Sequence, residues 1–326
     1  MPSRRRALLV LLSLASLAAA SMVAALAAGS LALPPGDVLA ALAGSDNVAH
    51  AVVFDLRLPR ALAAFACGGL LALAGALMQV LLRNPLADPY VLGISGGAGV
   101  GALAAMLLGL AGLAVPGFAF VGALAAMLLV FGLAHGDGSW TQTRLLLTGV
   151  VVAAGCGALV ALILTLAPDQ KIHGMLFWLM GDLSQAVNPL PALGVLVVAL
   201  LAAIPFAREL NLLARGADHA LALGVAVPTL RRIIYVVASL ATAVAVTTAG
   251  SVGFIGLIVP HLVRLAVGND QRLLLPASVL AGGSLLVLAD TAARTVVAPI
   301  QLPVGILTAL IGVPVFLTLL GRSART

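Results

Sequence analysis

Long apolar runs without Asp, Glu, Lys or Arg recur along this chain, separated by short polar punctuation. They cover residues 7–36, 61–82, 89–136, 145–168, 183–207, 233–263, 273–289 and 295–321. Each meets or approaches the roughly 20 residues a helix needs to cross a bilayer. The runs at 89–136 and 233–263 are too long for one helix, and both hold breakers near their centres, from Gly112 to Gly117 and from Gly250 to Gly256. Splitting both predicts an all-α integral membrane protein with ten transmembrane helices. An even count puts both termini on one side of the membrane.

Charge tests that count. Arg4, Arg5, Arg6, Arg322 and Arg325 mark the ends as cytoplasmic by the positive-inside rule. Alternation through ten spans then places Arg83, Arg144, Arg208, Arg215, Arg231, Arg232, Arg264 and Arg272 on the same side. Only Arg57, Arg60, Lys171 and Arg294 are left outside, so thirteen of the seventeen basic residues lie inside. One missed helix would invert every later loop and destroy the bias. The net charge of +6 is thus explained by topology and implies no nucleic-acid partner.

Composition agrees, at 62% hydrophobic and 9% charged, and residues 1–326 read as one membrane domain. The apolar stretch after Arg6 exceeds a signal-peptide core of roughly 7–15 residues, so it reads as a retained first span. Cys67 and Cys156 fall inside spans as small packing residues.

Several chemistries are missing. The only lysine, Lys171, follows Gln170 rather than glycine and falls outside, so the phosphate-binding loop of ATPases is absent. Any ATP-driven work needs a partner. The five histidines form no H-E-x-x-H pair and no aspartate cluster offers a metal site, so no catalytic or metal-ligating residues are assigned. Glycines 93, 96, 97, 99 and 101 lie in an uncharged span and suit close helix packing rather than a dinucleotide loop. A proton-coupled secondary transporter and, less favoured, a membrane enzyme remain as alternatives, although Asp182 and Asp290 fall near outer ends of spans rather than deep within them.

Three polar segments stand out. Arg83, Asn84, Pro85, Leu86, Ala87, Asp88 and Pro89 break the helix, because each proline lacks an N–H and restricts the residue before it. They form a sharp inner-side loop. Residues 208–224 alternate polar and apolar positions at helical spacing and predict two short amphipathic helices broken at Gly216, suited to a soluble partner or to the lipid surface. Arg57, Arg60 and Arg294 are expected to be exposed on the outer side, as headgroup anchors or as a patch for an acidic partner. Trp178 suits an interfacial aromatic, and Asp182 suits a helix cap.

These motifs, taken in order, resemble a known family. Arg57-Leu58-Pro59-Arg60, the loop from Arg83 through Gly93, the stretch from Gly253 to Arg264, Ala289-Asp290 with Ala293-Arg294, and Pro303 to Ile306 leading to Gly312 and Pro314 are similar to the permeases of type II ABC importers for ferric siderophores, haem and vitamin B12. The resemblance spans nearly the whole chain and implies the BtuC-like permease fold in the bacterial inner (plasma) membrane. It further implies a homodimer with the substrate path between subunits, two cytoplasmic ATPases that bind ATP and Mg, and a periplasmic binding protein.

By the same resemblance, Arg57, Arg60 and Arg294 dock the binding protein, and Asn84, Leu86, Gln142 and Thr143 form a cytoplasmic gate. The loop at 208–229 couples to the ATPase through Leu212, Leu213, Arg215, Gly216, Ala217, Leu221, Leu223 and Gly224. Gln142 and Thr143 depart from the smaller hydroxyl residues of the vitamin B12 member. The motifs fall on gates and docking sites, so none selects among the chelates.

Overall fold

The structure is a computed structural model describing residues 4–29, 31, 33–44, 48–134, 141–186 and 188–323. Arg325, counted above as cytoplasmic, lies outside the described residues. Those residues fold into helices joined by turns and loops, with no strand among them. The longer helices are α1 (Arg4–Ala27), α4 (Leu58–Leu81), α5 (Ile94–Leu107), α6 (Ala114–Ala134), α7 (Gln142–Leu166), α9 (Leu190–Ala203), α12 (Val227–Ala249), α13 (Ile255–Val267), α14 (Gln271–Thr295) and α15 (Val304–Ser323). Short α2 (Pro35–Leu42), α3 (Val48–Ala51), α8 (Asp169–Leu179), α10 (Ala207–Arg215) and α11 (Ala217–Ala222) connect them.

Seven described segments are helical, long and apolar enough to cross a membrane, and three shorter apolar helices accompany them at Ile94–Leu107, Ile255–Val267 and Val304–Leu319. At 1.5 Å per residue, α5 and α13 reach only about 20 Å, well under a hydrocarbon core of about 30 Å. Helix length alone therefore does not deliver ten full spans. The two long runs do divide as expected, between α5 and α6 and between α12 and α13.

Helix α4 is the central post. With α3 and a π turn at Val52–Arg57 it forms one rod over Val48–Leu81, whose most apolar stretch is 89% buried. Helices α14, α12, α13 and α9 surround it. Lipid provides no hydrophobic drive for helix association, so the close contacts come from small residues. A Cβ on Gly68 would strike the Gly282 carbonyl, and one on Gly75 would strike the Gly256 carbonyl. By contrast α1 and α7 are only 11% buried over their apolar stretches and form the periphery.

The proline loop and the α12–α13 break meet each other. Arg83 takes a left-handed φ of 48°, and Gly93 turns into α5 at φ 73°. Opposite them, Gly250 and Phe254 have φ of 68° and 69°. The Tyr90 hydroxyl donates to the Val252 carbonyl at 3.0 Å and accepts from the Val252 N–H at 3.1 Å. Ser95 and Ser251 pair through their hydroxyls at 2.9 Å. Broken backbone within a membrane domain needs such substitutes for its lost helical bonds.

Candidate functional site

The polar residues gather at the two ends of the bundle. At one end, Arg57 closes the π turn and aims back at the C-terminus of α1. Its Nη1 donates to the Leu26 and Ala27 carbonyls at 2.7 and 3.0 Å, and its Nη2 to the Leu31 carbonyl at 2.6 Å. The last carbonyls of a helix have no internal partner, and a cation there also opposes the negative dipole end. Arg57 is therefore a side-chain cap for α1.

One turn later, Arg60 donates from Nε to both oxygens of Asp290 at 3.1 and 3.0 Å and from Nη2 to Oδ1 at 2.8 Å. Its Nη1 donates to Gln301 Oε1 at 2.8 Å. Asp290 lies on α14 four residues before Arg294, whose Nε sits 3.1 Å from Oδ2 but is angled off a hydrogen bond. Arg294 Nη2 makes only long contacts of 3.4 Å to the Ala25 carbonyl and to Thr291 Oγ1.

The expectation of exposed arginines is corrected here. Arg57 and Arg294 are 3% and 4% exposed, and the Arg60 side chain 11%. A guanidinium in an apolar setting must spend its donors on something, and carbonyls and Asp290 lie in reach. Three cations still face a single carboxylate. Within this buried cluster the positive charge is undercompensated, and Arg294 is the least satisfied of the three.

At the opposite end, six arginines (Arg6, Arg83, Arg208, Arg215, Arg264 and Arg272) line one cleft of about 1030 Å³. Its one acid, Asp270, is already engaged by Asn211 Nδ2 at 3.0 Å and by the Arg272 N–H at 3.1 Å. All six belong to the set that charge alternation assigned to one side, and Arg57, Arg60 and Arg294 belong to the other.

The four residues expected at a gate lie on the loop after α4 and on the first turn of α7. Gln142 Nε2 donates to the Leu81 carbonyl at 3.1 Å, so the start of α7 is tied to the last turn of α4. Asn84 Oδ1 accepts from the Leu86 N–H at 2.9 Å and shapes the turn. Asn84 and Thr143 are exposed, and Leu86 and Gln142 half-buried. Asp88 accepts from the Tyr90 N–H at 2.7 Å. Burial pushes its carboxyl up to about 6 despite that bond, which favours the ionised form.

The segment at 208–224 folds as two short helices with Gly216 between them at φ 140°. Its leucines do not share one face. Leu210 and Leu213 turn inward at 1% exposure, whereas Leu221 and Leu223 are 52% and 57% exposed. Leu212 and Ala217 are half-buried, Gly216 is buried, and Arg215 and Gly224 are exposed. Asn211 pins α10 to the start of α14, with its Oδ1 accepting from the Gln271 N–H at 2.9 Å. Alternation in so short a helix shows amphipathicity without saying whether the apolar face meets this chain or another.

Trp178 lies half-buried on α8. Asp182 accepts from the Ser184 N–H at 2.8 Å and also pairs with the Ser184 hydroxyl, so it shapes a local turn rather than capping a short helix. The partners Asp290 and Gln301 of Arg60 were not assigned from sequence, although the Asp290 and Arg294 spacing of four on one helix is a readable signal.

The profile of the FecCD transport family matches residues 17–322. The chain belongs to this family. Among relatives, the cobalamin import system permease protein BtuC of Halobacterium salinarum is 42% identical over 85% of this chain and 75% of its own length. The vitamin B12 import system permease protein BtuC of Salmonella paratyphi A is 39% identical over 99% and 98%. An uncharacterized ABC transporter permease, YvrB of Bacillus subtilis, is 38% identical over 95% and 92%. A solved structure described as an inward-facing metal-chelate type ABC transporter is 30% identical, with a TM-score of 0.82 over 97% of this chain and 99% of that one. This FecCD member is accordingly a multi-pass protein of the bacterial inner membrane and a permease of the ABC-importer type, as its sequence motifs indicated.

Proposed function

We propose that this chain is the membrane-spanning subunit of an ATP-driven importer that moves a large metal chelate inward by alternating access. A corrinoid is the first substrate to test. The observation that carries the proposal is the broken helix pair α10–α11 at the arginine-rich end, in a chain similar along its length to vitamin B12 permeases. In this reading α5, α13 and α15 join the seven longer segments as ten membrane passages, and the arginine-rich end and both termini face the cytoplasm.

Two ATPase subunits bind ATP and Mg and seat against α10 and α11 through Leu212, Arg215, Leu221 and Leu223. Leu213 supports that surface from beneath rather than touching the partner. ATP binding favours one arrangement of the ATPases, and the shift passes through α10–α11 to α7 and α15. Gln142, Thr143, Asn84 and Leu86 then open or close the inner gate. A second copy of the chain completes the path along the exposed face of α7, where Gly155, Gly157 and Ala158 leave room and Thr148 and Thr165 supply hydroxyls. At the outer end Arg57, Arg60 and Arg294 receive carboxylates of a substrate-binding protein. Affinity for the chelate resides in that partner, since a path that must release its cargo binds weakly.

Co-expression of the tagged chain with the ATPase subunit of its transport system tests the assembly. A stable complex of two copies of each is expected, lost when Leu221 and Leu223 are changed to Asp. Recovery of the chain without ATPase would overturn the reading and return a proton-coupled carrier to first place.

A further inference from the structure

We infer that Asp290 is a built-in counter-ion that competes with the docking partner for Arg60, so that docking exchanges one carboxylate for another. The inference rests on the proposed docking role of the outer arginines. Arg60 is the most exposed of the three, at 11%, yet its fork is already filled by Asp290 through Nε and Nη2 and by Gln301 through Nη1. An incoming carboxylate finds the Nε–Nη2 side of the guanidinium taken and only one N–H left on each Nη. Arg57 is equally committed, to three carbonyls of the α1 terminus.

Arg294 supplies the way out. It is 4% exposed, its Nε lies 3.1 Å from Asp290 Oδ2 without the alignment of a hydrogen bond, and its other contacts are long. A small rotation lets it take over Asp290, which is 1% exposed and cannot be left unpaired. Arg60 is then released to turn outward while the buried carboxylate keeps a cation. The surplus of arginines over acids within this buried cluster is what makes the exchange possible, because neither carboxylate has to be stranded. Arg60 is thereby the reaching arm, Arg294 the holder, and Asp290 the residue that sets how readily the arm lets go.

The test uses the full-length chain assembled with its ATPase in lipid nanodiscs, titrated with the substrate-binding protein of the same transport system. Asp290→Asn keeps the shape and removes the charge. It should bind about tenfold tighter, the scale of losing one charge-assisted competitor. Phenylglyoxal should also label Arg60 several-fold faster than in the wild type, read by peptide mass spectrometry without any partner. Gln301→Ala, which leaves the buried ion pairs intact, should move both readouts the same way by a smaller factor and guards against misfolding of Asp290→Asn.

Weaker or unchanged docking with unchanged Arg60 labelling in both variants overturns the exchange and makes Asp290 a positioning residue. Binding that survives Arg60→Glu overturns the docking role itself. The labelling result distinguishes that failure, because it reports on the hold over Arg60 alone.

Discussion

Tyr90→Phe removes one oxygen atom and should destabilise the whole bundle. In the structure that oxygen replaces two backbone bonds lost where α12 and α13 are interrupted, by donating to the Val252 carbonyl and accepting from its N–H. Val252 is 1% exposed, so water does not substitute readily. Each stranded backbone group costs about 1–3 kcal/mol, which puts the pair at about 2–4 kcal/mol after some relaxation. An unfolding entropy of about 2.1 cal/mol/K per residue over 326 residues converts about 3 kcal/mol into a drop of about 4–5 °C in Tm. Thermal unfolding in one detergent, followed by tryptophan fluorescence, measures it. The phenyl ring still fills its site, so packing is unchanged. A Tm within about 1 °C of wild type would refute the idea that this hydroxyl holds the two breaks together.

Three other outcomes are expected. Gly75→Val should prevent accumulation of folded protein in the membrane, because its side chain would enter the Gly256 backbone, whereas Gly132→Ala on α6 has open space and should be neutral to slightly stabilising; size-exclusion profiles of the purified variants decide. Asp88 holds its proton to about pH 6 in the folded chain against about 4 when unfolded, so stability should fall as pH rises from about 4 to 6 and level off above; Asp88→Asn should flatten that slope in Tm measured against pH. Gln142→Ala frees the start of α7 from the Leu81 carbonyl at a cost of about 1 kcal/mol, a shift of about fivefold between gate positions. Spin labels at positions 84 and 146 should then show a broader distance distribution.

Local features were legible in the sequence and distant pairings were not. Pro85 keeps α4 from continuing, Pro89 starts the next short turn and Gly216 separates α10 from α11 through their own backbone chemistry, so the loop and the α10–α11 pair fall where spacing predicts. Charge alternation sorts the arginines by end, and the cleft and the Asp290 cluster keep the two sets apart. Exposure of Arg57, Arg60 and Arg294 was misread because their partners lie elsewhere in the chain. The Arg60 carboxylate is 230 residues away, and no periodicity near Arg60 announces it. The shortness of α5 and α13 was hidden for a related reason. Hydropathy measures how long a segment stays apolar, whereas the helix starts are set by Gly93 and by the Phe254 turn.

Reconstitution addresses the central claim most directly. The chain, co-purified with its ATPase, is placed in proteoliposomes with the binding protein outside and ATP inside, and uptake of radiolabelled cyanocobalamin is followed beside a ferric siderophore and haem. ATP-dependent accumulation of one of these chelates, abolished when ATP is replaced by a non-hydrolysable analogue and unaffected by a protonophore, is the predicted result. Uptake that proceeds without ATP and collapses with the proton gradient would contradict it.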